Sequence, residues 1–198
     1  MRANVYFTRE ITPEKVVELY RALGVELPGK VAVKVHSGEK GNQNFLRPEF
    51  WCPMVEEVHG TIVECNTAYG GGRSSTESHL QAAKDHGFTD IATVDIMDAE
   101  GEVRLPVEGG KHIAYDIVGS HYTNYDFTVV LSHFKGHAMA GFGGALKNIS
   151  IGIASANGKR WIHSAGESES SWGHPKQEHF LETHGPRLPR PVADHCGR

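Results

Sequence analysis

The sequence has few cysteines, and their spacing is its first informative absence. Cys52, Cys65 and Cys196 are the three cysteines among 198 residues, and no two of them form a CxxC pair. An odd number without that spacing argues against a disulfide framework and against a self-contained iron-sulfur or zinc site. We therefore expect free thiols in a reducing compartment.

Long apolar runs and an excess of basic charge are also missing. No apolar stretch approaches the roughly 20 residues needed to cross a bilayer, and the charged stretch MRANVYFTREITPEK lacks the apolar centre of a signal peptide. Lys and Arg number 20 against 24 Asp and Glu, giving a formal net charge of −4. Because such a chain has no broad positive field for phosphate backbones, we expect a soluble, cytoplasmic protein without nucleic-acid or membrane partners.

Strand-like and helix-like segments alternate along most of the chain. Strands are predicted at 4–8, 30–36, 60–65, 90–95 and 127–131, and helices at 14–23, 47–59, 75–86 and 145–154. This order predicts an α/β fold, with a mainly parallel, Rossmann-like sheet and helices on both faces. A hairpin excursion is expected near 101–121. Ligands of such sheets bind beyond the carboxyl ends of the strands.

Composition divides the chain at about residue 165. We expect 1–165 to form the α/β domain. From Gly166 onward Ser and Glu predominate, and the last stretch, HGPRLPRPVADHCGR, holds three prolines, which oppose a regular helix. The tail 166–198 is therefore predicted to be weakly ordered, or altered by truncation or by a sequence error near its end.

The strongest group of candidate site residues surrounds the glycine-rich segment after strand 127–131. Glycines let backbone approach a cofactor closely, neutral imidazoles bind metals, and a lysine in a dry pocket can act as a nucleophile or covalent anchor. Each histidine taken singly has an equally plausible alternative role, in capping a helix or bonding to a backbone carbonyl. We predict catalytic roles for Lys147 and His137, cofactor contacts from Gly141, Gly143, Gly144 and Lys147, and a metal site of His133, His137 and His163.

Two further groups follow the second and third predicted strands. Lys34 and His36 share one face of strand 30–36 by alternation, and with Arg47 they could hold a carboxylate or phosphate, so we predict Lys34 and Arg47 as substrate-binding and His36 as catalytic. The alternative is a solvated turn. Arg73, after three glycines and before two serines at a helix start, is also predicted to bind substrate, in a second anion cradle, with a flexible connector as the alternative. Cys65 is either a reactive thiol or, more commonly, an inert buried one.

Four motifs carry a resemblance to a known family. KVHSGEKGN, LRPEF, NTAYGGGRSS and LSHFKGHAMAGFGGALKNISIG, the last followed by GKRWIHS, resemble the DUF362 family from about residue 4 to 180. Many members carry a ferredoxin-like, cysteine-rich segment, so the resemblance implies an iron-sulfur or oxidoreductase role. This sequence has no such segment, and a ferredoxin-like partner or a longer parent chain would have to supply the cluster ligands.

A more distant similarity is to the nickel-pincer lactate racemases. HAMAGFGGALK and the later His163 look like that family's stretch in which a lysine anchors a pyridinium-derived nucleotide and a histidine ligates nickel. This implies those roles for Lys147 and His163. Arg47-Pro48 looks like the family's substrate-binding Arg-Pro, whereas Gly72 stands where the catalytic histidine would be.

Three hypotheses for function follow from these observations. The leading one is a metal- or cofactor-linked protein, carrying iron, nickel or zinc, with a pocket for a small and anionic molecule at the strand ends. The second is a cofactor-free isomerase- or racemase-like enzyme acting on a small carboxylate. The third is a non-catalytic interaction domain, as a homo-oligomer or with a partner protein.

Overall fold

The computed structural model describes residues 4–138 and 140–183. Six helices occur in this part of the chain: α1 (Pro13–Ala22), α2 (Pro48–Glu57), α3 (Thr76–Asp85), α4 (Ala145–Ile153), α5 (Ala156–His163) and α6 (Gln177–Thr183). Its strands are β1 (Val31–Lys34), β2 (Thr61–Glu64), β3 (Val94–Ile96), β4 (Glu102–Pro106), β5 (Tyr115–Gly119), β6 (Phe127–Val130), β7 (Gly136–His137) and β8 (Gly141–Phe142).

A four-stranded parallel sheet organises the fold, in the order β3-β2-β1-β6. The chain moves from β1 outward to β3 and then returns to the other side of β1 with β6, so the strand order reverses between β1 and β6. This confirms the α/β, Rossmann-like prediction. A reversal of this kind opens a crevice at the carboxyl ends of the two strands.

Apolar side chains cover both faces of the sheet. One core contains Val31, Val33 and Ile62, packed with Trp51 and Met54 of α2. The alternate residues Ala32 and Val63 face a second core with Val118, Tyr122 and Ile153. The period of two along β1 and β2 thus places helices on one face, and α4 with the hairpin β4–β5 on the other.

Two predicted strands are corrected by the structure. Residues 4–8 form no strand: they pair with no other strand in the described residues, and Val5 and Phe7 are 89% and 81% exposed. Alternation alone cannot make a strand without a partner to take up its hydrogen bonds. The strand expected at 90–95 begins at Val94, opposite Ile62, because a 3-10 turn at Phe88–Asp90 first buries Phe88 against Phe45.

The remaining predicted elements are confirmed, with ends shifted by a few residues. The expected excursion near 101–121 is the antiparallel hairpin β4–β5. Helix α3 starts at the N-cap Ser75, whose side chain accepts from the Ser78 N–H. Among the described residues no helix combines the length and apolar character needed to span a membrane. The division at residue 165 stays a prediction, and 184–198 lie outside the described residues.

Helix α5 reaches its place because Gly158 lies directly on β5. A Cβ at Gly158 would stand 1.9 Å from the Ile117 carbonyl oxygen. Next to this contact, the Trp161 indole Nε1 donates to the Tyr115 carbonyl at 2.9 Å. The close approach fixes α5, and with it Lys159 and His163.

We predict that Gly158→Ala destabilises the fold although alanine favours helices. Forcing a methyl group against backbone costs about 1–3 kcal/mol or more, which exceeds the gain of about 1 kcal/mol in helix propensity. The matched control is Gly70→Ala, since a Cβ there meets no atom within 4 Å. Urea unfolding of both variants measures the difference, and equal stabilities would contradict a close-packed α5.

Candidate functional site

A cavity of about 800 Å³ opens at the carboxyl ends of β1 and β6, where the strand order reverses. Its walls come from the loops after β1, β2 and β6, from α4 and α5, and from the segment before α6. Predicted site residues lining it are Lys34, His36, Arg73, His133, His137, Gly143, Gly144, Lys147 and His163. Parallel strands explain this convergence, because they bring residues distant in sequence to one edge of the sheet.

A buried ion pair forms the floor of the cavity. The Lys34 Nζ lies 2.8 Å from Glu64 Oε2, and the two side chains are 1% and 4% exposed. The other carboxylate oxygen of Glu64 accepts from the Ser37 backbone N–H at 2.8 Å and from its hydroxyl at 3.0 Å. Lys34 also donates to the Val35 carbonyl at 2.5 Å. The pair is thus fully hydrogen-bonded, as a buried pair must be.

Arg73 extends this pair into a network. Its guanidinium lies 3.4 Å from Glu64 and also donates to Glu39, which accepts from the Tyr69 hydroxyl at 3.2 Å as well. Burial alone would raise the pKa of Glu64, but Lys34 and Arg73 outweigh it and hold that pKa well below its usual range. Glu64 is therefore an anion that anchors two cations.

Asn148 and Gly152 connect helix α4 to this network. The Asn148 side-chain oxygen accepts from Lys34 Nζ at 3.0 Å, and its amide donates to Ser132 Oγ at 2.7 Å and to the Leu131 carbonyl at 3.2 Å. One turn further along the helix, a Cβ at Gly152 would come within 2.6 Å of Lys34 Cε. The helix can lie over Lys34 because that position has no side chain.

Lys147 and His137 form the amine–imidazole pair of the cavity wall. The Lys147 Nζ is 2.5 Å from His137 Nε2, and the Ala140 backbone N–H donates to His137 Nδ1 at 3.1 Å. Burial and the nearby Lys135 lower the pKa of Lys147 to about 8. Burial also lowers the pKa of His137, with Lys147 and Lys135 adding to the effect. The surroundings thus favour the neutral form of each group, although at a pKa of about 8 Lys147 is still uncharged only in a minority of molecules at neutral pH.

Three further histidines of the cavity wall, His36, His133 and His163, also have pKa values lowered toward the neutral form. Burial lowers the pKa of His36 to about 3 and that of His163 to about 4. Burial and Lys135 lower the pKa of His133. His163 Nδ1 donates to the Lys159 carbonyl at 2.6 Å, so the ring lone pair is on Nε2.

Two predicted site residues do not line the cavity. Arg47 is exposed and lies over the Phe45 ring, 4.4 Å from its centroid, with Nη2 donating to Gln43 at 2.8 Å. Gly141 is the exposed first residue of β8, with a φ of +70°. The spacing after strand 30–36 predicts the region of Arg47 correctly but not the direction of its side chain.

Several residues of the cavity were missed by sequence reasoning. Glu64, at the carboxyl end of β2, carried the usable signal, since a carboxylate ending a buried strand requires a partner. Lys135 and Lys159 are close in sequence to predicted site histidines, but no motif or periodicity of the sequence marks either lysine. Lys159 is buried, and its Nζ donates to the Ala154 carbonyl at 2.5 Å. Cys65 is an inert buried thiol, because burial raises its pKa to about 12.

The predicted metal ligands do not form a metal site as arranged here. In the described part of the chain, no group of three or more His, Cys, Asp or Glu side chains is placed to hold a metal ion. Both nitrogens of His137 already make hydrogen bonds, to Ala140 and Lys147. A bound metal, an iron-sulfur cluster, an oxidoreductase role and a ferredoxin-like partner stay predictions from the resemblance.

The fold and the cavity together define a Rossmann-like α/β domain with a cavity lined by charged side chains at its topological switch point. A family model described as a domain of unknown function, DUF362, matches residues 31–193. The chain belongs to the DUF362 family, which confirms the resemblance predicted from its motifs. No curated protein and no solved structure matches it, so the likeness to lactate racemases stays a prediction.

We predict that Glu64→Gln strongly destabilises the protein. Removing the carboxylate leaves the buried Lys34 uncompensated and leaves Arg73 paired with Glu39, at a cost of about 3–5 kcal/mol. Glu18→Gln is the matched control, because the Lys15–Glu18 pair is on the surface and such pairs contribute little. Urea unfolding at neutral pH compares them, and a similarly small loss in both variants would disprove the anchoring role.

We also predict that His79 makes stability depend on pH. Burial lowers its pKa to about 4, so below pH 6.5 the unfolded chain binds a proton that the folded chain does not, and stability falls as pH is lowered toward 4. The slope contributed is at most about 1.4 kcal/mol per pH unit. His79→Asn should reduce the slope of the unfolding free energy between pH 6.5 and 4.5, with His36 and His163 supplying the remainder, whereas an unchanged slope would contradict a neutral buried imidazole.

Proposed function

We propose that the protein binds a small organic anion in the switch-point cavity and acts on it there. The observation that carries this proposal is the charge of the cavity wall, set against a chain whose net charge is −4. Among the described residues, the wall has two carboxylates, Glu39 and Glu64, and five cationic side chains: Lys34, Arg73, Lys135, Lys147 and Lys159.

The carboxylates neutralise only part of this charge. Lys34 and Arg73 are paired with Glu64 and Glu39. The other three lysines make no ion pair in residues 4–138 and 140–183. Repulsion within the group supports this reading, since Arg73 adds to the effect of burial in lowering the pKa of Lys135. A bound anion would relieve that repulsion.

The size and lining of the cavity favour an organic anion over a bare inorganic ion. A volume of about 800 Å³ lies in the range of pockets for small organic molecules. Besides its charged groups, the wall includes Ile151, Trp172 and Phe180, which suit an apolar carbon skeleton. This reading favours the cofactor-free enzyme on a small carboxylate or phosphate over an interaction domain.

We predict that organic anions bind saturably while their neutral counterparts do not. Isothermal titration calorimetry of the chelator-treated protein would use carboxylates and phosphate esters, each paired with an amide or alcohol of the same skeleton. Lys135→Gln should weaken binding about tenfold, the effect of losing one charged hydrogen bond. Lys84→Gln, on the exposed face of α3, is the control and should leave it unchanged.

Two outcomes would count against the proposal. Equal affinities for the anionic ligands and for their neutral counterparts would show that the cationic wall does not select the ligand. Equal affinities of the Lys135 and Lys84 variants would place the anion elsewhere on the protein.

A further inference from the structure

Lys147 differs from the other cations of the cavity in having a neutral nitrogen base as its neighbour. It is the third residue of α4 and is half-buried in the wall. The two cavity carboxylates, Glu39 and Glu64, are held by Arg73 and Lys34 instead. The positive end of the α4 dipole further disfavours an ammonium group in the first turn of that helix.

Hydrogen-bond directions in the amine–imidazole pair are those of the uncharged form of the Lys147 amine. Because the Ala140 N–H donates to His137 Nδ1, that nitrogen carries a lone pair, and a neutral ring then has its proton on Nε2. The Nε2–H is directed at Lys147 Nζ, 2.5 Å away. Nζ can accept this hydrogen bond only as a neutral amine, since an ammonium group has no lone pair.

A neutral lysine amine in a desolvated pocket is a nucleophile for carbonyl carbon. We propose that Lys147 forms an imine with an aldehyde or ketone that also carries a carboxylate or phosphate. This inference rests on the proposed function, because the cationic wall supplies the affinity for the acidic group. It narrows the ligand class from organic anions to anionic carbonyl compounds.

The reaction is balanced without an oxidant or reductant. The Nζ lone pair forms a bond to the carbonyl carbon, and the π electrons of the C=O bond move to oxygen. Both amine hydrogens are transferred to that oxygen through solvent, the C–O bond breaks, and water leaves with a C=N bond formed. His137 is a positioning residue: it orients Nζ before attack and must release its hydrogen bond as the lone pair turns to carbon.

Pyridoxal phosphate and pyridoxine phosphate are suitable probes, because they share a phosphate and a ring. The first carries an aldehyde where the second carries an alcohol. The full-length protein is mixed with pyridoxal phosphate at a stoichiometric ratio, reduced with borohydride and mapped by peptide mass spectrometry. We expect one reduced adduct, on Lys147. Calorimetry with pyridoxine phosphate measures anion binding without imine chemistry.

Two variants separate imine formation from binding and from folding. Lys147→Arg keeps the positive charge but has no nucleophilic amine, so it should lose the adduct and still bind pyridoxine phosphate. Lys84→Arg is the matched surface control and should keep the adduct on Lys147. Circular dichroism and urea unfolding confirm that both variants are folded.

Each outcome is informative. Labelling spread over surface lysines, or an adduct that persists elsewhere in Lys147→Arg, overturns the imine proposal. If pyridoxine phosphate binds and Lys147 is not labelled, the anion site stands and the imine proposal falls. If neither probe binds or reacts, both proposals are overturned. An adduct on Lys147 without measurable binding of the alcohol supports imine formation and contradicts selection by charge.

Discussion

The buried contact between Lys34 and Glu64 is the constraint on which the rest of the site depends. Two charges at the ends of neighbouring strands are removed from water, and each is tolerated because the other is there. Glu64 also holds Arg73 and the Ser37 backbone. Loops after two strands and helix α4, through Asn148, are therefore tied to one carboxylate. The floor of the cavity is thus held by charge pairing and hydrogen bonds in addition to the apolar packing of β1 and β2.

The charge surplus of the cavity follows from this arrangement. Since both wall carboxylates are used to hold Lys34 and Arg73, none is left to neutralise the lysines that α4, α5 and the loop after β6 contribute. The same parallel topology that brings these segments together also brings their charges together. A polar cavity in an acidic protein thus becomes a local positive field, while the outer surface keeps the net charge negative.

The sequence predicts the architecture well because its signals are periodic. Alternation in β1 and β2 and the cap at Ser75 locate elements to within a few residues. It fails at residues 4–8 because alternation does not reveal whether a partner strand exists. In the site, proximity to strand ends predicts Lys34, His137 and Lys147, whereas Asn148 and Gly152 carry no local signal. Their role depends on how closely α4 approaches β1, which is set by tertiary packing.

The two halves of the site are closed by contacts of very different sequence separation. His137 and Lys147 are ten residues apart, and β7 pairs with β8 between them, so their contact closes a short loop with a small entropy cost. Lys34 and Asn148 are 114 residues apart, and that contact requires the complete sheet. Re-forming the hairpin contact therefore costs less chain entropy than re-forming the contact across the sheet. A ligand that touches both Lys147 and Lys34 would bridge a contact made locally and one that needs the whole sheet.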